Sequence, residues 1–307
     1  MKKELFASRR AATPLALLAM FFWGSLYPCI KLSYRALAID ASRPADILLF
    51  AGVRFVACGC ALLAACAATK RPVRPSRRAI RPILLIALTG YAAHYTCTYL
   101  GVSLIESSKT ALLKQTGSLL LICFAFLFRR EDRFTVRKLL SGLMGFAGIL
   151  AINLDGLRFH MGLGEALVLI ASLCSAASML ASKSAYDRLD PLGVTAWAQL
   201  LGGVTLTAAG LLMGGQMGRL TPSACALFGY LCLASCMGYA LWNLLLAHND
   251  LSRLNQIKFA EPLFSALCSA ALLGENILRP GYLVAFACVG VGIWLGRERV
   301  AGAPKQA

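Results

Sequence analysis

Two lysines sit inside apolar stretches of the sequence, 144 residues apart: Lys114 in Leu-Leu-Lys-Gln-Thr-Gly and Lys258 in Gln-Ile-Lys-Phe-Ala-Glu-Pro. A charged side chain at the centre of a membrane helix costs about 2.5–3.5 kcal/mol on insertion scales, so intramembrane lysines line polar paths or find partners. Glu131/Glu275 and Gly148/Gly292 share the 144-residue spacing. A chain that carries an ammonium into lipid twice, at matched positions, is expected to line one polar path with both.

Three readings of the lysines fit the sequence. Each can snorkel to an interface on its long stem. Lys258 can pair with Glu261, one helical turn on. Or both face a wet cavity and bind an anion. Arg54, deep in its own apolar segment, is either a third cavity cation or a hydrogen-bond donor to neighbouring helices. Arg54, Lys114 and Lys258 against Glu261 leave a positive balance. That balance favours anionic or zwitterionic solutes, whose carboxylate or phosphate completes the neutralisation. Glu261 can alternatively titrate as a proton-coupling site.

A polar-aromatic stripe accompanies the charges. Tyr91, His94, Tyr95 and Thr98 fall at i, i+3, i+4 and i+7, one face of a helix. An offset of 144–145 maps them onto Cys236, Tyr239 and Asn243, with Trp242 alongside. Either the two stripes wall a cavity or their rings pack between helices; His94 by itself reads as a packing histidine rather than a proton relay. The expected substrate-binding set is Lys114, Lys258, Arg54, Tyr95, Thr98, Gln115, Tyr239, Trp242, Asn243 and Glu261.

The elements that position these residues follow from composition. The chain has 307 residues, 58% hydrophobic and 15% charged, with mean hydropathy +0.68. That is a polytopic membrane protein. Apolar segments are predicted near 12–34, 46–69, 82–104, 108–128, 137–154, 162–182, 191–214, 222–247, 253–273 and 280–296. Their lengths and lack of period-two alternation favour membrane helices over barrel strands. The net charge of +17 is concentrated between these segments, so it reads as topology signal rather than as a nucleic-acid surface. With the N-terminus inside, Lys and Arg divide 21 to 6 in favour of the cytoplasmic side, which places both termini there. The opening Met-Lys-Lys and its apolar run read as an uncleaved first helix.

The halves repeat. Glu131 and Glu275 each close a segment, and each is followed by a Gly-rich apolar helix. Five helices is an odd number, so the second repeat inserts upside down. The fold expected is an all-α membrane protein of ten transmembrane helices in two inverted five-helix repeats, 1–156 and 157–307.

The motifs carry a resemblance. Trp23-Gly24-Ser25 through Lys31 resembles the opening helix of EamA-type members of the drug/metabolite transporter superfamily. Arg54-Phe55 resembles the Arg-Phe of their second helix. Glu261-Pro262-Leu263-Phe264 and Leu272-Leu273-Gly274-Glu275 resemble their ninth-helix signature. The resemblance spans residues 14–297 and implies a ten-helix transporter with a central cavity between its halves. It departs at Gly117-Ser118, where relatives often place a proline after a polar residue.

The function expected is a secondary transporter of a small anionic or zwitterionic metabolite, such as an amino acid, organic acid or phosphorylated compound. The alternatives are a proton-coupled exporter of cationic drugs or amines and, further off, a membrane enzyme or lipid-handling protein. No nucleotide-binding loop and no convergent Ser, His and Asp spacing is present, so no enzyme is expected. Twelve cysteines without a CxxC or Cys/His spacing predict packing residues, with no metal, disulfide or cofactor. Expected partners are a small-molecule substrate and the lipid bilayer, without nucleic acid; a homodimer is left open. The expected location is a bacterial inner membrane.

Overall fold

The structure is a computed structural model that describes residues 9–40, 42–115, 117, 118, 121, 135–155, 158, 159, 161–249, 254 and 257–295. Its helices are α1 (Arg9–Leu37), α2 (Pro44–Ala68), α3 (Arg77–Leu104), α4 (Ser107–Leu113), α5 (Val136–Asn153), α6 (Leu163–Tyr186), α7 (Pro191–Leu212), α8 (Pro222–His248), α9 (Glu261–Leu273) and α10 (Pro280–Leu295). The apolar spans in α1, α2, α3, α6, α7 and α8 are each at least 22 residues long. At about 1.5 Å per residue, that length crosses the hydrocarbon core. Helix starts follow local chemistry. Proline opens α2, α7 and α8, where a missing N–H costs nothing. Asp190 caps α7 through Leu192 N at 3.0 Å, and Thr221 caps α8 through Ala224 N at 3.2 Å.

Three segments differ from the uninterrupted helices expected. In α3, residues Ala87–Ala93 form a π-helical turn before α geometry resumes at His94. The fourth segment turns at Lys114 and is helical again at Gln115, Gly117, Ser118 and Leu121; Glu131 lies outside the described residues. The ninth is helical at Leu254, Ile257 and Lys258, turns at Phe259 and Ala260, and restarts as α9. Pro262 is the physical cause there. It cannot donate to the carbonyl of Lys258, and its ring crowds that carbonyl. Phe259, fully buried, fits beside Gly145 of α5, where a Cβ would lie 2.5 Å from the ring.

The packing of α2 on α7 shows the inversion. Gly52 meets Thr207, Gly203 meets Phe55 and Val56, and Gly59 meets Leu200. Each step forward on one helix is a step back on the other, so the two run antiparallel. The small residues let the backbones touch; a Cβ at Gly52 would lie 2.3 Å from the Thr207 nitrogen. The α5–α10 pair is antiparallel too: Gly148 meets Ala285, and Ser141 Oγ donates to the Gly292 carbonyl at 2.8 Å. Two further sets of contacts are mates: α1 with α8 and α6 with α3, α1 with α9 and α6 with α4. A pseudo-two-fold relates them, as two inverted five-helix repeats require. At their junction, Leu154–Asp155 (β1) pairs with Arg158–Phe159 (β2) in a short antiparallel ladder.

Candidate functional site

A cavity lies around this axis. Helix α1 lines it with Trp23, Leu26, Tyr27 and Ile30, at i, i+3, i+4 and i+7. Helix α6 repeats that spacing 152 residues later with Ser175, Ser178, Met179 and Ser182. Helix α3 contributes Tyr91, His94, Tyr95 and Thr98, and α8 contributes Tyr239, Trp242 and Asn243. The hydroxyls of Tyr95 and Tyr239, one repeat apart, are 2.6 Å from each other. Symmetry mates that touch lie on the axis, so this pair marks where the two repeats meet.

The two helix turns deliver the charges. Lys114 Nζ lies 5.2 Å from the Tyr27 ring centroid and 6.0 Å from that of Tyr95. Lys258 Nζ lies 5.5 Å from Trp23 and 5.9 Å from Trp242. Each ammonium thus sits between aromatic faces that attract cations. Neither lysine snorkels, because both ammoniums are turned to interior rings. Glu261, in the first turn of α9, accepts the Tyr27 hydroxyl at 2.5 Å. Among the described residues, neither lysine has a carboxylate within 4.0 Å. The direct Lys258–Glu261 pair is therefore not made. The turn at Phe259–Ala260 takes the two residues off a common helical face, and Tyr27 holds the carboxylate.

The polar neighbours are fixed from behind. Thr98 Oγ1 donates to the His94 carbonyl at 2.8 Å, and Asn243 Nδ2 donates to Thr195 Oγ1 at 2.6 Å. His94 Nδ1 is 2.7 Å from the Ala171 carbonyl. A carbonyl can only accept, so Nδ1 carries a proton, and in a neutral ring Nε2 offers a lone pair.

Eight of the ten residues expected from sequence line the cavity: Lys114, Lys258, Tyr95, Thr98, Tyr239, Trp242, Asn243 and Glu261. Arg54 and Gln115 do not. Arg54 is enclosed between α2, α3 and α8, where Nη1 donates to Ser235 Oγ at 2.7 Å and the guanidinium lies over Phe55 at 4.3 Å. Among the described residues the cavity balance is thus two ammoniums against one carboxylate, without the arginine. Gln115 follows the turn at Lys114 and is buried, with Nε2 3.5 Å from the Ala111 carbonyl. Cys236 also leaves the stripe: its Sγ reaches the Cys58 carbonyl on α2 at 3.8 Å. Sequence reasoning missed the α1 and α6 faces. Their shared spacing at a fixed offset was the available signal.

The lining runs to Ile86, Tyr186, Val194 and Thr195, toward the α6–α7 connection. The opposite end is tied by Lys31–Glu275 at 3.7 Å and Lys109–Glu165 at 2.6 Å. Gly274, at φ +68, ends α9 and turns Glu275 toward that pair. A separate cleft there is lined by Lys31, Tyr34, Arg35 and Asp40.

Comparisons with known proteins agree with this architecture. The model of the EamA-like transporter family matches twice, over residues 11–154 and 162–295. An uncharacterized protein of Pseudomonas aeruginosa is 30% identical over 268 residues, 86% of each chain. The uncharacterized inner membrane transporter YedA of Escherichia coli K12 is 28% identical over 278 residues, 87% of this chain and 85% of its own. The uncharacterized transporter YvbV of Bacillus subtilis is 26% identical over 272 residues, again 87% and 85%. A crystal structure 16% identical in sequence superposes with TM-score 0.76 over 96% of this chain and 100% of its own, a likeness of fold.

Proposed function

The chain belongs to the EamA-like transporter family, and from that premise we propose that it is a secondary carrier of a small anionic or zwitterionic metabolite. One observation carries the reading: among the described residues, two ammoniums and a single carboxylate share a cavity walled by aromatic rings. In a low-dielectric site an unmatched positive charge is costly, and a bound carboxylate or phosphate group neutralises it. A zwitterion would set its own ammonium toward Glu261. The rings of Trp23, Tyr91 and Trp242 would cover an apolar body.

The cycle would be alternating access. The cavity reaches toward one end of the bundle, and inverted repeats allow each half to adopt the other's arrangement. The excess of Lys and Arg on one side would put both termini in the cytoplasm, and the cavity would then face inward. YedA is named an inner membrane transporter; the same location is proposed here. Aromatic cages also bind amines, which would suit a cation exporter. The rings here already face the protein's own ammoniums, so the anion reading is favoured.

The test is a screen of amino acids, organic acids, phosphorylated metabolites and cationic drugs by thermal shift, followed by uptake into liposomes without ATP. An anion or zwitterion should both stabilise the protein and be transported. A plain cation bound equally well after Lys114→Gln and Lys258→Gln would end the proposal. Reporter fusions after Ala307 and within 155–161 should report opposite sides of the membrane; a shared side would sink the topology.

A further inference from the structure

Arg54 is a buried cation outside the cavity, and among the described residues its guanidinium is only partly matched by acceptors. The residue is 0% exposed. Only Nη1 is matched, by Ser235 Oγ. Among the described residues Nε and Nη2 have no hydrogen-bond partner, and neither do the hydroxyls of Tyr34 and Tyr99 nearby. The Tyr99 centroid is 5.4 Å from the guanidinium carbon and 6.4 Å from the Tyr34 ring. Among the described residues no carboxylate lies within 4.0 Å of Arg54. Buried polar groups in folded proteins nearly always find partners. A guanidinium can only donate, and a phenol donates readily. The cluster therefore needs a group rich in lone pairs, and its uncompensated charge makes that group an anion.

We infer that Arg54, Tyr34 and Tyr99 form a second anion site, which takes one small monoanion, either a halide or a carboxylate group. Tyr34 also lines the cleft with Lys31, Arg35 and Asp40. On the other flank, the Tyr95 ring lies 5.7 Å from the guanidinium and lines the central cavity. The site thus stands between cleft and cavity, with Tyr95 as the partition. Phe50 packs on both tyrosines and Phe55 on the guanidinium, which limits the occupant to a small ion or head group. The inference does not depend on what the central cavity carries.

The test uses the full chain, purified in detergent, with thermal unfolding followed in sodium bromide, acetate or isethionate at equal ionic strength. Bromide or acetate should give a saturable rise in Tm that the bulkier isethionate does not. Whichever acts distinguishes a solvent halide from a carboxylate group. Tyr34→Phe and Tyr99→Phe each delete one oxygen and keep the packing, and each should weaken the apparent Kd about tenfold. Arg54→Gln should abolish the response, and the two phenylalanine variants decide the matter if it fails to fold. Lys114→Gln and Lys258→Gln should retain it. An equal rise in isethionate, or an unchanged Kd in both phenylalanine variants, would overturn the site. So would a response lost in the lysine variants instead, which would place the anion in the central cavity. No response to bromide or acetate would leave water as the acceptor and equally overturn it.

Discussion

The lysines of the two halves occupy matched positions in unlike surroundings. Lys114 sits between tyrosines and Lys258 between tryptophans. Three residues after Lys258 comes Glu261; three after Lys114 comes Gly117. The repeat duplicates the cation but not the acid, and this asymmetry gives the cavity its charge. Packing explains why the acid has no mate. A Cβ at Gly117 would lie 2.5 Å from the Ser172 carbonyl oxygen on α6. A side chain does not fit there, whereas Glu261 points at Tyr27. The lesson is that duplicated elements keep their geometry while one steric contact decides their chemistry.

The comparison breaks first at the lysines. If both bind the transported anion, Lys114→Gln and Lys258→Gln should each raise its Kd thirtyfold or more, since truncating one partner of a buried charged hydrogen bond costs about 2–5 kcal/mol. Titration calorimetry would show it, and a loss confined to one variant would make the two stations unequal. Next comes the missing acid. Gly117→Ala should lower stability by about 1–3 kcal/mol, because the methyl meets backbone that cannot turn away. Thermal unfolding at or above the wild-type Tm would remove the steric explanation.

A smaller effect is expected at Tyr27. Tyr27→Phe removes the hydroxyl on Glu261 and should change affinity about tenfold, the scale of a hydrogen bond to a charged group. An unaltered Kd would mean that the carboxylate needs no holding. The smallest effect sharpens the contrast with a direct ion pair. Adding Glu261→Gln to Lys258→Gln should restore less than about 1 kcal/mol of stability, where a broken buried pair would recover several. Full rescue would show that the two residues pair in solution.

Much of this was legible in one dimension. Apolar run lengths located the helices, because a segment without water must satisfy its own backbone. The doubled motifs and odd helix number predicted inversion, which the antiparallel α2–α7 contact displays. The stripe of Tyr91, His94, Tyr95 and Thr98 was readable despite the π turn, since α geometry resumes at His94. The α1 face was harder to see, because that helix is apolar on most sides and only Trp23 and Tyr27 distinguish it.

The sequence by itself determined the membrane class, the duplicated half and the presence of cations at matched depth, all consequences of local composition and spacing. Only the tertiary structure decided where those cations point. A helix face reads out side-chain direction only while the helix is continuous, and both lysines lie at breaks. Arg54 shows the same limit. Depth along a helix was visible in the sequence, but the neighbour it faces was fixed by the glycine contacts that seat α2 on α7. The Lys258–Glu261 pairing failed for a related reason: Pro262 breaks the turn that would have brought the two together, and a tyrosine from α1, 234 residues away, takes the carboxylate instead.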